Sequence, residues 1–437
     1  MSAVDTDFAV RPPVDRLVVQ TREAEHGDDL LAYADPREPL VWLRRGEGLV
    51  AVADLPPVAY IRVPGGVAER AARMAEAWQA LTAGAVIDDP VQVPGTGLVG
   101  FTALAFDDRS AAESILIVPA VIVARRGGRS WITRIARAGE PFAAAPAAPT
   151  AYGPQWSATL GPGALGPEGY EAAVRGGLEA IASGEVSKVV VARDLAGTVP
   201  AGADLRRLAR TLATGYPDCW TFAVDGLIGA SPETLVTVSK GTVTARVLAG
   251  TASRGADADA DAAASTALAT SLKDQDEHAF AVQSVLQSLR PHMRSLAASE
   301  QPFTLRLPNV WHLATDVEGE LADAASGFDL IAQLHPTAAV AGTPTKVALD
   351  VIQRLEPFDR GRYAGPVGWI DATGDGEWAI ALRCAQFSAE PVAGPSGAFD
   401  RLPVTAYAGA GIVAGSDPES ELIETRVKFR PIVDALA

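Results

Sequence analysis

Near the end of the chain, Glu421 and Glu424 stand three apart and Lys428 follows four later. On a helix, residues three, four and seven apart share a face, so these three side chains point at one spot. The apolar residues Leu422, Ile423, Val427 and Phe429 fall mostly elsewhere, so such a helix can bury itself and still present the charged face. That face could hold a divalent cation and a carboxylate ligand together. The alternative is an exposed ion pair, which carries little energy. Asp274 and Glu277 form a second acid pair with the same spacing, just after Ser271, a residue suited to cap a helix. Two such helices facing each other would offer oxygen ligands only, which suits Mg²⁺ and not Zn²⁺. Acids in a first helical turn are also favoured by the macrodipole alone. Spacing leaves both readings open.

Other residues could act on a ligand held there. Lys188 opens an apolar run, KVVVARDL; a desolvated lysine can act as a base near neutral pH, and a strand-edge lysine can equally reach to solvent. Glu233 follows a Ser-Pro bend that could aim a carboxylate into a cleft or leave it on the surface. Arg383 lies within the apolar run 378–387 and needs a carboxylate partner, from the protein or from a ligand. The histidines do not group as metal ligands. His312 is the nearest to a site candidate, and His335 reads as structural. Gly409, Gly411 and Gly415 have the wrong spacing for a dinucleotide fingerprint, and no βαβ unit follows. They read instead as places where backbone amides approach an anion.

The elements that must position these residues follow from periodicity. Before residue 143, short β-rich runs (49–53, 59–63, 98–106, 115–124) surround one helical pattern at 67–80. The segment 143–168, rich in Ala, Pro and Gly, reads as a linker. Beyond it, 169–183 is an amphipathic helix and 188–195 a strand. The runs 221–224, 227–229 and 234–238 are strands. The acidic stretch 254–264 reads as a loop. Residues 271–290 form a long helix with Leu272, Ala279, Val282, Leu286 and Leu289 as its apolar stripe. A short helix covers 328–334, strands cover 367–371, 378–387 and 404–408, and 390–401 is a hairpin loop. A helix closes the chain. Consecutive hairpins mixed with helices predict an α+β architecture, not the strict alternation of a doubly wound fold.

Of the 437 residues, 48% are hydrophobic, enough for a large core. The net charge of −16 argues against nucleic acid and anionic membrane surfaces as partners. Two cysteines, Cys219 and Cys384, make no disulfide framework and suggest a reducing cytoplasm. The opening MSAVDTDFAV lacks the basic and apolar regions of a secretion signal. The longest apolar runs are too short to span a bilayer.

Taken together, the segments resemble a known family. KVVVARD at Lys188, GASPETLV at Glu233, VLAGTASRG at Gly250, LKDQDEH at Glu277, VWHLATDVEG at His312, LHPTAAVAGTP at His335, GPVGW at Gly365, EWAIALRCA at Arg383 and YAGAGIVAGSDPESELIETRVK at Glu424 occur in the order found in the chorismate-utilising enzymes. The resemblance covers 165–437, and 97–107 is similar to the family's N-terminal part. It implies an anthranilate synthase component I-like fold: one domain over 1–437, with a large, mixed, mostly antiparallel sheet core and helices outside. Residues 1–150 would add strands to the same domain, and 165–437 would be the catalytic core.

Members of this family differ at a few positions that set the reaction. Lys188 is similar to the water-using branch. Ala249 stands where aminodeoxychorismate synthases carry lysine. Ala339 stands where salicylate synthases tend to have threonine. The resemblance therefore implies Mg²⁺-dependent conversion of chorismate to isochorismate, with no obligatory amidotransferase subunit. The alternative is a salicylate synthase, which would go on to eliminate pyruvate. Less favoured is an anthranilate or aminodeoxychorismate synthase component. The implied roles are Lys188 as base on an attacking water and Glu233 as acid on the departing hydroxyl. Glu277 and Glu424 would hold Mg²⁺, with Asp274 and Glu421 holding its waters. Lys428, Gly250 and Thr251 would take the ring carboxylate. Arg383, Tyr363, Gly409 and Gly411 would take the enolpyruvyl carboxylate. His312, Ala339 and Leu382 would line the ring pocket. One departure is Asp274, where a glutamate is more usual. The implied assembly is a monomer or homodimer, and the implied pathway serves menaquinone or a siderophore.

Overall fold

The computed structural model describes residues 16–144, 149–307, 310–322, 325–394 and 397–437. The acidic opening stretch, and parts of the 143–168 and 390–401 segments, lie outside the described residues. Strands make up two sheets, of thirteen and ten strands among the described residues. Leu17–Glu23 pairs parallel with Val86–Asp88, and the other pairings are antiparallel. The α+β expectation holds, with the difference that the sheet core is two sheets and not one.

In the first sheet, Lys188–Pro200 pairs with Arg401–Ile412 along nearly its whole length. The order continues through Cys384–Phe387, Leu227–Ser231, Trp220–Val224 and Val41–Arg44. In the second, Val310–Leu321, Thr242–Ser253, Thr234–Ser239, Gly376–Ile380, Pro366–Asp371 and Val99–Ala103 follow one another. Strands from before residue 150 thus join both sheets.

Period-two alternation decides what each face buries. Trp42 and Leu49 pack in one core with Phe101, Trp369 and Trp378. Their neighbours Val41, Leu43 and Val50 face the other way. They meet Leu208, Leu212, Phe429 and Ile432 from the helices Arg206–Gly215 and Pro418–Leu436.

Two apolar runs expected as single strands are each two strands in different sheets. Within 115–124, Ser114–Val118 belongs to the second sheet and Val121–Arg126 to the first. Pro119 stands at the break; it has no N–H for a ladder. Within 378–387, Gly376–Ile380 lies in the second sheet and Cys384–Phe387 in the first. Arg383 is therefore not inside a strand but in the crossing, at φ 49°. A further crossing leads from Leu227–Ser231 to Thr234–Ser239 and carries Pro232 and Glu233. These last two crossings run side by side, because their strands pair on both sides of the gap.

The helices that flank the site are fixed by their caps. Ser271 accepts from the Asp274 amide at the start of Leu272–Leu289, and Asp417 accepts from Ser420 at the start of Pro418–Leu436. His278, Val282 and Leu289 are the buried residues of the first of these. Leu272, expected in its apolar stripe, is 77% exposed. The expected loop at 254–264 instead begins the helix Ala258–Thr270. Asp257 caps it, and alanine propensity sustains it, with Leu268 as its buried side chain. Cys219 and Cys384 are free and buried. Among the described residues no helix is long and apolar enough to cross a membrane.

Candidate active site

Every residue singled out from the sequence as catalytic, substrate-binding or metal-binding lines one cavity of about 240 Å³. Its walls come from both sheets, from the two crossings and from the two capped helices. Lys188 and Gly411 lie on adjacent paired strands of the first sheet, with Val190 opposite Gly411. A Cβ on Gly411 would come 2.9 Å from Lys188 Cε. The lysine stem therefore lies over the bare glycine backbone. Gly409 and Gly411 are residues of the strand Arg401–Ile412, which precedes the final helix.

Lys188 Nζ reaches across to Glu277 Oε1 at 2.5 Å, and Lys428 Nζ to Glu424 Oε1 at 2.5 Å. Lys428 also donates to the Gly409 carbonyl at 2.8 Å. Burial pushes the Glu424 carboxyl up, but Lys428 and Arg383 bring it below its ordinary value overall. Glu421 is shifted the other way, upward, by burial and by the neighbouring Glu424 charge. Glu421 and Asp274 make no ion pair among the described residues.

In the second sheet, Gly250 sits at a bulge between Ala249 and Thr251, at φ +81°. A Cβ there would crowd Asp274 Cβ at 3.3 Å. Thr251 Oγ1 is 2.9 Å from His312 Nδ1. The other ring nitrogen of His312 is buried and has no hydrogen-bond partner among the described residues. Burial, then the Arg383 and Lys428 charges, push His312 down to about 3, so its ring is neutral. A neutral imidazole with a free nitrogen facing a cavity is set to hydrogen-bond a ligand.

Glu233 is buried, and its pKa is pushed up to about 7 by that burial, against the pull of Lys188, Arg383 and Lys428. It is therefore a carboxyl that holds a proton near neutrality. The Arg383 guanidinium forms no salt bridge among the described residues, and burial lowers its pKa. Of the two partners considered, a protein carboxylate or a ligand carboxylate, the first is not present as an ion pair among the described residues. Tyr363 beside it is stacked on Tyr407, with centroids 5.1 Å apart. Ala339 and Leu382 complete the wall.

Three further residues were not singled out from the sequence. Lys273 lines the cavity next to Asp274. Arg360 also lines it, paired with Glu356 four residues before, and donates to the Val190 and Val340 carbonyls. That i,i+4 pair was legible as a pair but not as a clamp on the strand bearing Lys188. His278 bonds the Ala249 carbonyl and Thr315, which seats the helix carrying Glu277 on the second sheet. His335, read as structural, bonds the Ala364 carbonyl and packs on Phe106.

The four acids Asp274, Glu277, Glu421 and Glu424 were expected to converge on a cation. Among the described residues no three His, Cys, Asp or Glu side chains are grouped closely enough to form a ready cation site. Glu277 and Glu424 are turned to lysines instead. The donor set still fits a hard divalent ion: four carboxylates line one cavity, and two of them, Asp274 and Glu421, make no ion pair among the described residues.

A family model described as chorismate binding enzyme matches residues 59–437. The chain belongs to the chorismate-binding enzyme family. This chorismate-binding enzyme is 40% identical over 282 residues to isochorismate synthase DhbC of Bacillus subtilis, covering 62% of this chain and 68% of that one. It is 33% identical over 398 residues to the salicylate biosynthesis isochorismate synthase of Pseudomonas aeruginosa, covering 84% and 79%. A Bacillus anthracis crystal structure assigned as the 2,3-dihydroxybenzoate-specific isochorismate synthase DhbC superposes with TM-score 0.72 at 31% identity, covering 93% of this chain and 98% of that one.

Proposed function

We propose that this enzyme converts chorismate to isochorismate by adding water at ring carbon C2 and expelling the C4 hydroxyl. The observation that carries this reading is the placement of Lys188 and Glu233 on the wall of one cavity, with Glu233 held as a proton-bearing acid near neutral pH. Lys188 takes a proton from the attacking water as the C2–O bond forms. The two ring double bonds shift by one position, and the C4–O bond breaks as Glu233 delivers its proton to the leaving oxygen. Water enters and water leaves, so the net change is an isomerisation. Each group needs the other, because water is a weak nucleophile and hydroxide a poor leaving group.

The two carboxylates of the substrate find two cationic ends. Lys428, with the Gly250–Thr251 backbone, takes the ring carboxylate, and Arg383, with Tyr363, takes the enolpyruvyl carboxylate. His312, Ala339 and Leu382 hold the ring between them. Glu277 and Glu424 would hold Mg²⁺, with Asp274 and Glu421 behind them. The ion would bind the ring carboxylate and draw electron density from the ring.

Incubation with chorismate and Mg²⁺ in ammonia-free buffer tests the reading. Isochorismate should accumulate without stoichiometric pyruvate. Fluorescent salicylate with equal pyruvate would overturn the product assignment. A requirement for ammonia would overturn the use of water.

A further inference from the structure

Between the side-by-side crossings, the ladder of neither sheet continues. The first sheet's backbone pairing ends with the Ala230 amide donating to the Arg383 carbonyl at 3.1 Å. The second begins with the Ile380 amide donating to the Glu233 carbonyl at 3.1 Å. In the gap lie Pro232, which has no N–H, and the Ile380 carbonyl, which accepts from the Leu382 amide of its own crossing at 2.8 Å. The Ser231 hydroxyl fills that gap. It donates to the Ile380 carbonyl at 2.6 Å and accepts from the Glu233 amide at 3.3 Å. Ser231 is fully buried. Gly229 completes the approach, since a Cβ there would lie 2.9 Å from the Arg383 carbonyl. One small hydroxyl therefore ties the backbone bearing Glu233 to the backbone leading into Arg383.

We propose that Ser231 is a positioning residue that sets Glu233 against the substrate anchored on Arg383. This rests on Glu233 being the acid of the reaction. The two groups must act on opposite parts of one small ring, so a shift of about an ångström between the crossings costs on the order of 100-fold in rate. Ser231 is not among the residues that line the cavity, so it acts through Glu233 and not on substrate. The charges that face Glu233 are Lys188, Arg383 and Lys428.

The test compares Ser231→Ala, Ser231→Thr and Glu233→Gln in the full-length enzyme with Mg²⁺. Turnover, KM for chorismate and the pH profile are read for each. Ser231→Ala should lose about 10-fold or more in kcat with KM within about threefold. Its falling pH limb should move to lower pH, because a loosened acid meets more water. Ser231→Thr, which keeps the hydroxyl, should recover part of the loss. A Ser231→Ala enzyme with wild-type kcat and pH profile would overturn the inference, as would Ala and Thr variants impaired alike. If Glu233→Gln itself keeps near-native turnover, the acid assignment fails instead.

Discussion

Lys188 Nζ lies 2.5 Å from Glu277 Oε1, joining the first residue of a first-sheet strand to a helix packed on the second sheet. The group assigned as base and a group assigned to the cation thus share one contact. A cation held at Glu277, as proposed, would compete with the lysine for that carboxylate.

That competition gives a binding prediction. Calorimetric titration with Mg²⁺ should show Glu277→Gln and Glu424→Gln binding about 10-fold or more weakly than wild type. Lys188→Ala should bind Mg²⁺ at least as tightly as wild type while losing turnover. Chelation should stop the reaction, and added Mg²⁺ should restore it. Unchanged Mg²⁺ binding in both glutamate variants would contradict the assignment.

Lys188→Ala and Glu233→Gln should each lower kcat by ~10²–10⁴-fold, the usual contribution of a placed acid or base. Chorismate affinity, read by equilibrium binding, should change only a few-fold, since neither side chain is assigned to a substrate carboxylate. Near-native kcat in either variant would remove that residue from the mechanism.

Glu233 should also set the pH profile. Its pKa is raised to about 7 by burial, so the acid form is lost as pH rises through 7, and forward turnover should fall above that value. The same shift bears on stability. A carboxyl with a raised folded pKa favours the folded state below its unfolded pKa, near 4.5, and that benefit is lost between there and about 7. Glu233→Gln should therefore gain stability relative to wild type at pH 8 compared with pH 5, by up to ~3 kcal/mol at 1.36 kcal/mol per pH unit. Parallel unfolding curves at both pH values would contradict this.

How much of this was legible in the sequence depends on the kind of signal. The acid pairs and the cap at Ser271 are local, and spacing sufficed to place them on helices; the Asp417 cap emerged only from the structure. The crossings are not local. The runs 115–124 and 378–387 carry continuous strand-like hydrophobicity, and only pairing partners far along the chain reveal that each changes sheet midway. Arg383 consequently looked like a strand residue. Leu17–Glu23 and Arg129–Arg137 were missed because charged and polar residues interrupt their apolar runs, and Val41–Arg44 because it offers only a short apolar run ahead of Arg44 and Arg45. The helix at Ala258 lacks an apolar face, so periodicity was silent there. Lys188 was the reverse case: spacing left it ambiguous, and the bare backbone of Gly411 beneath its stem resolves where it points.

Gly411 offers a test of that packing. A Cβ at 2.9 Å from Lys188 Cε meets the far end of a flexible side chain, which can move aside. Gly411→Ala should therefore leave the melting temperature within a few degrees of wild type while cutting kcat by about 10-fold or more. A stable variant with full activity would show that the lysine position does not matter.

Arg383→Ala should weaken chorismate binding by ~10–100-fold, the weight of a charge-assisted contact of ~1.5–3 kcal/mol. Because this buried cation has no salt bridge within the described protein, its removal should not lower thermal stability. A large stability loss with unchanged affinity would place Arg383 in the fold and not at the substrate.

The most direct test is the reaction in ¹⁸O-water with Mg²⁺ and chorismate. Water attack at C2 predicts isochorismate carrying one ¹⁸O in its ring hydroxyl, with none gained by Lys188→Ala. Isochorismate formed without label would mean that the C4 hydroxyl itself migrates and would contradict the paired roles of Lys188 and Glu233.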